Sequence, residues 1–228
     1  MSANLTPLTV VKAAAAVIHA RGYHQPQSRP WEAAVPTAYD VRTIVYSYQR
    51  DKHTLSAAAV ARATTATADE PAAVLVWCTT PPAEPNDYRR DLDRLARAPH
   101  VEERDIALLC SAVAQWHKDK TRAARRHQAQ TDAVHSRHQG TEGERITKSV
   151  TVATVVSLGV RTYGGRDQER RLIRLRDDHG NVYVWTTSTA NTPAEGAAVT
   201  ITGTVTRHDT YRDTQQTHIT RCRWNNGN

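Results

Sequence analysis

The spacing of apolar residues changes once along this chain, at Arg145, and nothing else in the sequence restricts its fold as much. Upstream, apolar residues recur every three to four positions. Val41, Ile44, Val45 and Tyr48 do so in one stretch, and Ile106, Leu109, Cys110, Val113 and Trp116 in another. Downstream, Val150, Val152 and Thr154 alternate with Thr151, Ala153 and Val155. A run of helices followed by a run of strands is the pattern of an α+β chain. Gly140-Thr141-Glu142-Gly143-Glu144 separates the two regimes.

The helical half divides at its breakers. Residues 8–19 suit a helix closed by Arg21-Gly22, and residues 25–30 form a loop around Pro26 and Pro30. A second helix is expected at about 37–50 and a third over the Ala-rich residues 56–68. Val74-Leu75-Val76-Trp77-Cys78 is either a buried strand or a buried helical turn, since periodicity does not separate the two in so short a run. After Pro81-Pro82, Asn86 or Asp87 can cap a helix carrying Tyr88, Leu92 and Leu95. A last helix starts at Arg104, with Glu102, Glu103 and Asp105 suited to its N-terminal dipole. These elements predict a helical domain over 1–116, followed by a polar, helical connector over 117–144 that has no Pro or Gly before Gly140.

Five strands are expected in the second half: a long one from Arg145, then 170–176, 182–187, 198–207 and 217–224. Asp177-Asp178-His179-Gly180-Asn181 is a hairpin turn, and 188–196 is a longer connection. This order predicts a five-stranded antiparallel Greek-key barrel, the OB-fold, over 145–224, with 225–228 as a tail. An SH3-like barrel fits the strand count as well; the long first strand and the long third connection favour the OB-fold.

The charge follows the same division. Residues 1–116 hold 12 basic and 12 acidic side chains, whereas residues 145–228 hold 12 and 7. Most of the surplus therefore sits in the strand-rich half, where it suits a polyanionic partner. Arg outnumbers Lys 25 to 5 and Phe is absent, so any ring that stacks on a base is Tyr, Trp or His.

Alternation assigns sides to the strands. If Ile173 and Leu175 on one strand and Val182 and Val184 on the next face the core, then Arg174, Arg176, Tyr183 and Trp185 share the outer surface. The first connection carries Arg161, Tyr163 and Arg166, and the last carries His208, Tyr211 and Arg212. OB-folds bind oligonucleotides on the strand 2–3 face between those two loops. Arg pairs with phosphate oxygens and a flat ring stacks on any exposed base. These ten residues are the predicted nucleic-acid site. Arg170 and Arg171 are read as a solvated strand edge.

The C-terminal segment also resembles a known module. The residues that carry the likeness are 180–188, 199–205, His208-Asp209 with Tyr211, and Gln216-Thr217 with Thr220-Arg221-Cys222. They are similar to a C-terminal OB-fold-like module of bacteriophage and actinobacterial proteins, either uncharacterised or active in DNA metabolism. Asp213 stands where that module more often has a glycine. Residues 86–96 and 104–114 resemble helical regions of actinobacterial and actinophage proteins of unknown role. The resemblance implies an OB barrel and nucleic-acid binding; it carries no catalytic residues across.

Enzymatic signals are weak. There is no GxxxxGK[ST] phosphate loop and no GxSxG elbow. His135 and His138 lack a third ligand nearby, and Asp177, Asp178 and His179 are explained by the turn they occupy. Cys78, Cys110 and Cys222 form no CxxC pair, which suits a reducing cytoplasm, and Cys222 reads as a buried thiol. No apolar run is long enough to span a membrane, and 12–18 lacks the features of a signal peptide. The expectation is a non-enzymatic protein without metal or cofactor. It binds single-stranded nucleic acid, DNA over RNA, and its helical domain recruits a replication or recombination protein or self-associates. The alternative is an adaptor that binds protein only.

Overall fold

The alanine run 13–16 makes the middle of α1 (Pro7–Arg21) small enough to be enclosed on every side. Thr6 caps it by accepting a hydrogen bond from Thr9 N–H at 3.2 Å, Pro7 sits in its first turn, and Gly22 closes it at φ +81°. Val10, Val11, Ala14, Ala15, Ala16 and Val17 are wholly buried, as expected of a central helix. The structure, a computed structural model, describes residues 5–25, 35–49, 54–84, 86–163 and 166–226, the side chains at 163, 166 and 226 excepted. It divides into two units, Met1–Arg122 and Ala123–Asn228.

In the first unit, α2 (Thr37–Val45), α3 (Ala57–Ala66) and α4 (Glu70–Thr79) pack against α1, and α5 (Asp87–Ala96) packs against α4. The Val74–Cys78 ambiguity resolves as helix. Pro71 fits the first turn of α4, and Val74 and Cys78, four residues apart, share its buried side. The Arg89 guanidinium fixes the following turn, donating to the carbonyl of Thr80 at 2.8 Å and lying 3.6 Å from the centre of the Trp77 ring. Asn86 caps α5 through Arg89 N–H at 2.9 Å. Ile106, Leu109, Cys110, Ala112 and Val113 of α6 (Ile106–His135) complete this core. No helix among the described residues is long and apolar enough to cross a membrane.

The second unit contains the end of α6 and five strands: β1 (Arg145–Tyr163), β2 (Arg166–Arg176), β3 (Val182–Thr187), β4 (Ala198–Tyr211) and β5 (Thr214–Asn226). They pair in the closed order β1-β2-β3-β5-β4, with β4 returning to β1. The sheet is mixed: β3 and β5 run parallel, which corrects the expectation of a purely antiparallel barrel. The chain must pass from β3 to β4 by residues 188–197 before β5 can enter beside β3, and that route sets β5 in the same direction as β3.

The expected sides of β3 are reversed. Tyr183 and Trp185 point into the core with Ile173 and Leu175, to which they are register partners. Val182 and Val184 lie on the outer side, opposite Arg176 and Arg174, and are buried there as well. The reason is volume and cover. The interior needs large rings between Val150, Val152, Ile201 and Ile219, while the outer side is shielded by the chain leaving α6. That segment is stitched to the strands: Ser136 Oγ accepts from Val182 N–H at 2.9 Å and donates to the Gln215 carbonyl at 2.6 Å. Arg137 N–H donates to Asn181 Oδ1 at 2.9 Å, and Gln139 N–H to Thr217 Oγ1 at 2.9 Å. Gly140 then turns at φ +70°, where a Cβ would come within 3.0 Å of Ile146 Cγ2.

Candidate nucleic-acid interface

β2 places Arg170, Leu172, Arg174 and Arg176 on the outward side, since Ile173 and Leu175 point in. One half of this outer face is closed. Asp132 of α6, 1% exposed, accepts Arg176 Nε at 2.8 Å, Arg176 Nη2 at 2.7 Å and Arg174 Nη2 at 3.1 Å. Gln128 Nε2 adds a fourth bond at 3.0 Å. Burial lowers the pKa of the Arg174 guanidinium, and the Asp132 carboxylate works against that shift. Two arginines tied to one buried carboxylate retain a net positive charge but do not present a free cationic pair to a phosphate.

The other half is open. A cleft of about 320 Å³ lies between β2, β3, β4 and β5, lined by Arg170, Val184, Thr186, Ser188, Thr206, His218 and Thr220 among others. Its lining contains hydroxyls, one guanidinium and one imidazole, and no carboxylate. Asp209 orients the imidazole, with its Oδ2 2.9 Å from His218 Nε2. The β1 side of this region is aliphatic: Val156, 44% exposed, is the register partner of Leu172, and Leu158 and Val160 are 48% and 62% exposed.

Two ribbons extend the sheet beyond its core. The expected loops are strands. Arg161 pairs with Gln168 and Tyr163 with Arg166 in the β1–β2 ribbon, and His208 and Tyr211 belong to β4. Arg161 is exposed, and the side chains of Tyr163 and Arg166 lie outside the described residues. The second ribbon closes on Arg212 and Asp213 at φ +48° and +63°, a two-residue turn between Tyr211 and Thr214. Asp213 therefore holds the left-handed backbone for which a glycine is suited, and Asp tolerates it. Tyr211 is 57% exposed, and Arg212 lies 5.3 Å from the centre of its ring. His208 is half-buried, with its ring 4.6 Å from that of His138, whose Nε2 lies 2.9 Å from the Asp209 carbonyl.

Of the ten predicted site residues, Arg161, Tyr211 and Arg212 present open side chains. Tyr183 and Trp185 do not: both are buried, so neither ring can stack on a base while the barrel is closed. The Tyr183 hydroxyl donates to Asp177 Oδ2 at 2.9 Å, and burial followed by that carboxylate drives its pKa upward. Arg174 and Arg176 are held by Asp132. Arg170, Thr186, Thr206, His218 and Thr220 were not predicted. The parity of β2 pointed to Arg170, but the other four depend on which way Tyr183 and Trp185 face.

Nearby groups with catalytic potential have structural work. Asp177 accepts from His179 N–H, Asn181 N–H and Asn181 Nδ2 at 3.0, 2.9 and 3.0 Å. Burial opposes its ionisation, but these bonds and the Tyr183 hydroxyl outweigh it and hold the carboxyl below its usual range. Burial pushes the Cys222 thiol up to about 11, against the field of Arg145. Among the described residues, no group of three His, Cys, Asp or Glu side chains is placed to hold a metal ion. No family model matches this sequence, and it matches no curated protein and no solved structure, so the geometry of the site carries the functional argument.

Proposed function

We propose that the C-terminal unit is an OB-type Greek-key barrel that binds single-stranded nucleic acid, DNA over RNA, without catalysing a reaction. The strand order supports the fold: β4 lies beside β1, and β1, β2 and β3 are consecutive neighbours, as in a Greek key. The observation that carries the function is the cleft beside Arg170, whose lining holds no carboxylate, set between ribbons that bear Arg161 on one side and Tyr211 and Arg212 on the other. Arg170 and the hydroxyls suit phosphate and sugar oxygens, while Val156, Leu172 and Tyr211 offer apolar area to bases. The resemblance to the phage and actinobacterial module points the same way. In this reading the helical unit recruits a replication or recombination protein or self-associates.

One observation favours the second reading, a protein adaptor: Val156, Leu158 and Val160 are exposed together on β1. Fluorescence anisotropy of a labelled 30-mer single strand separates the two. If Arg161, Arg170 and Arg212 each neutralise one phosphate, log K falls with log salt at a slope of about −2. Arg170→Gln is expected to weaken binding and reduce that slope by about 0.7. No binding at low salt, or an Arg170→Gln variant that binds like the parent, refutes the cleft and leaves the adaptor.

A further inference from the structure

The wall made by β1, β4 and β5 has a chemistry of its own. Ile146 and Val150 of β1, Val199, Ile201 and Val205 of β4, and Ile219 of β5 point into the core. The register then sets two rungs across the outside. Arg145 pairs with Thr204, which pairs with Thr220; Thr147 pairs with Thr202, which pairs with Arg223. The Thr147 and Thr202 hydroxyls are 2.9 Å apart. The rungs lie two residues apart on β1, about 7 Å. On β5 the register shifts between them, and Arg221 in that interval stands at φ +48°, a left-handed backbone that is strained for a non-glycine residue.

The charge on this wall is one-sided. Residues 145–163, 198–206 and 214–226 contain no Asp or Glu. Glu144, just before β1, is turned away and accepts from Thr141 N–H at 2.7 Å. Arg145, Arg221 and Arg223 are exposed and, among the described residues, pair with no carboxylate. They differ in this from Arg171, Arg174 and Arg176, which all do. Three uncommitted guanidiniums with threonine hydroxyls between them complement a chain of phosphates spaced along a flexible backbone.

We propose that Arg145, Arg221 and Arg223, with Thr147, Thr202 and Thr204, form a second track for the nucleic-acid backbone. It takes up the continuation of a strand longer than the cleft accommodates. This rests on the nucleic-acid reading above. A single OB-type site covers about 4–16 nucleotides, so a longer ligand needs further surface.

The test uses the full chain with oligo-dT of 8 and 40 nucleotides, titrated by anisotropy at several salt concentrations. The parent is expected to bind the 40-mer with a salt slope steeper by about 2 than the 8-mer, from three added phosphate contacts. The triple variant Arg145→Gln, Arg221→Gln, Arg223→Gln is expected to lose that difference and to bind the 8-mer as before. Equal slopes on both lengths in the parent overturn the track even if the variant fails to fold, and leave the cleft standing. A folded variant that keeps the steep 40-mer slope overturns it as well. A parent that binds neither oligonucleotide removes the cleft reading and the track with it.

Discussion

Replacing Asp132 by alanine removes the acceptor of three charge-assisted bonds from Arg174 and Arg176, at 3.1, 2.8 and 2.7 Å, and strands both guanidiniums against the sheet. Breaking a buried pair in this way costs about 3–5 kcal/mol when the orphaned charge stays buried. Here the arginine side chains keep 27% and 24% of their exposure, so water reaches them in part, which reduces the expected cost to about 2–3 kcal/mol. In an Arg174→Met, Arg176→Met background the buried Asp132 carboxylate has itself lost its charged partners, so the same substitution relieves that charge and is expected to be neutral or stabilising, a coupling of at least about 2 kcal/mol. Amide hydrogen exchange of the full chain reads this locally, because the slowest amides of β2 and β3 should exchange about 30-fold faster in the single variant. An equal effect in both backgrounds would show that Asp132 does not act through these arginines and would refute the closure of this half of the face.

Trp185→Ala should act on stability. Removing a buried indole costs about 3–5 kcal/mol, read as a lower melting temperature of the strand-rich unit, and an unchanged melt contradicts the inward ring. Asp177 links stability to acid. Its folded pKa lies below the unfolded value, so its contribution is present above that unfolded value and lost as the pH falls through the folded one. Tyr183→Phe removes one of its donors and should cost about 1 kcal/mol at neutral pH and raise the acid-unfolding midpoint. An unshifted midpoint means that the hydroxyl does not help hold the carboxylate ionised.

Local chemistry made several elements legible. Gly22 ends α1, Asn86 caps α5, β1 begins at the residue where the apolar period changes, and β3 spans 182–187 as expected. The faces of β3 were not legible. Val182, Tyr183, Val184 and Trp185 are all hydrophobic, so alternation holds no information there and the choice falls to barrel volume. Nor does the sequence reveal that Asp132 meets arginines more than forty positions away, or that β3 and β5 run parallel. The first ribbon reads as a loop in the sequence because glycine interrupts the alternation there, yet β1 continues through Gly159 at φ +92°. Of the predicted site residues, Arg161, Tyr211 and Arg212 are exposed, whereas Tyr183 and Trp185 are buried and Arg174 and Arg176 are held by Asp132.

In the proposed function, single strands lie on the open half of the β2–β3–β5 face. Hydrogen exchange of the full chain with and without a saturating oligo-dT 16-mer tests it most directly. Protection is expected to concentrate in 156–172, 184–188 and 204–220, with the helical unit unchanged. Protection confined to the helical unit, or none in these strands under conditions where the oligonucleotide is bound, contradicts it.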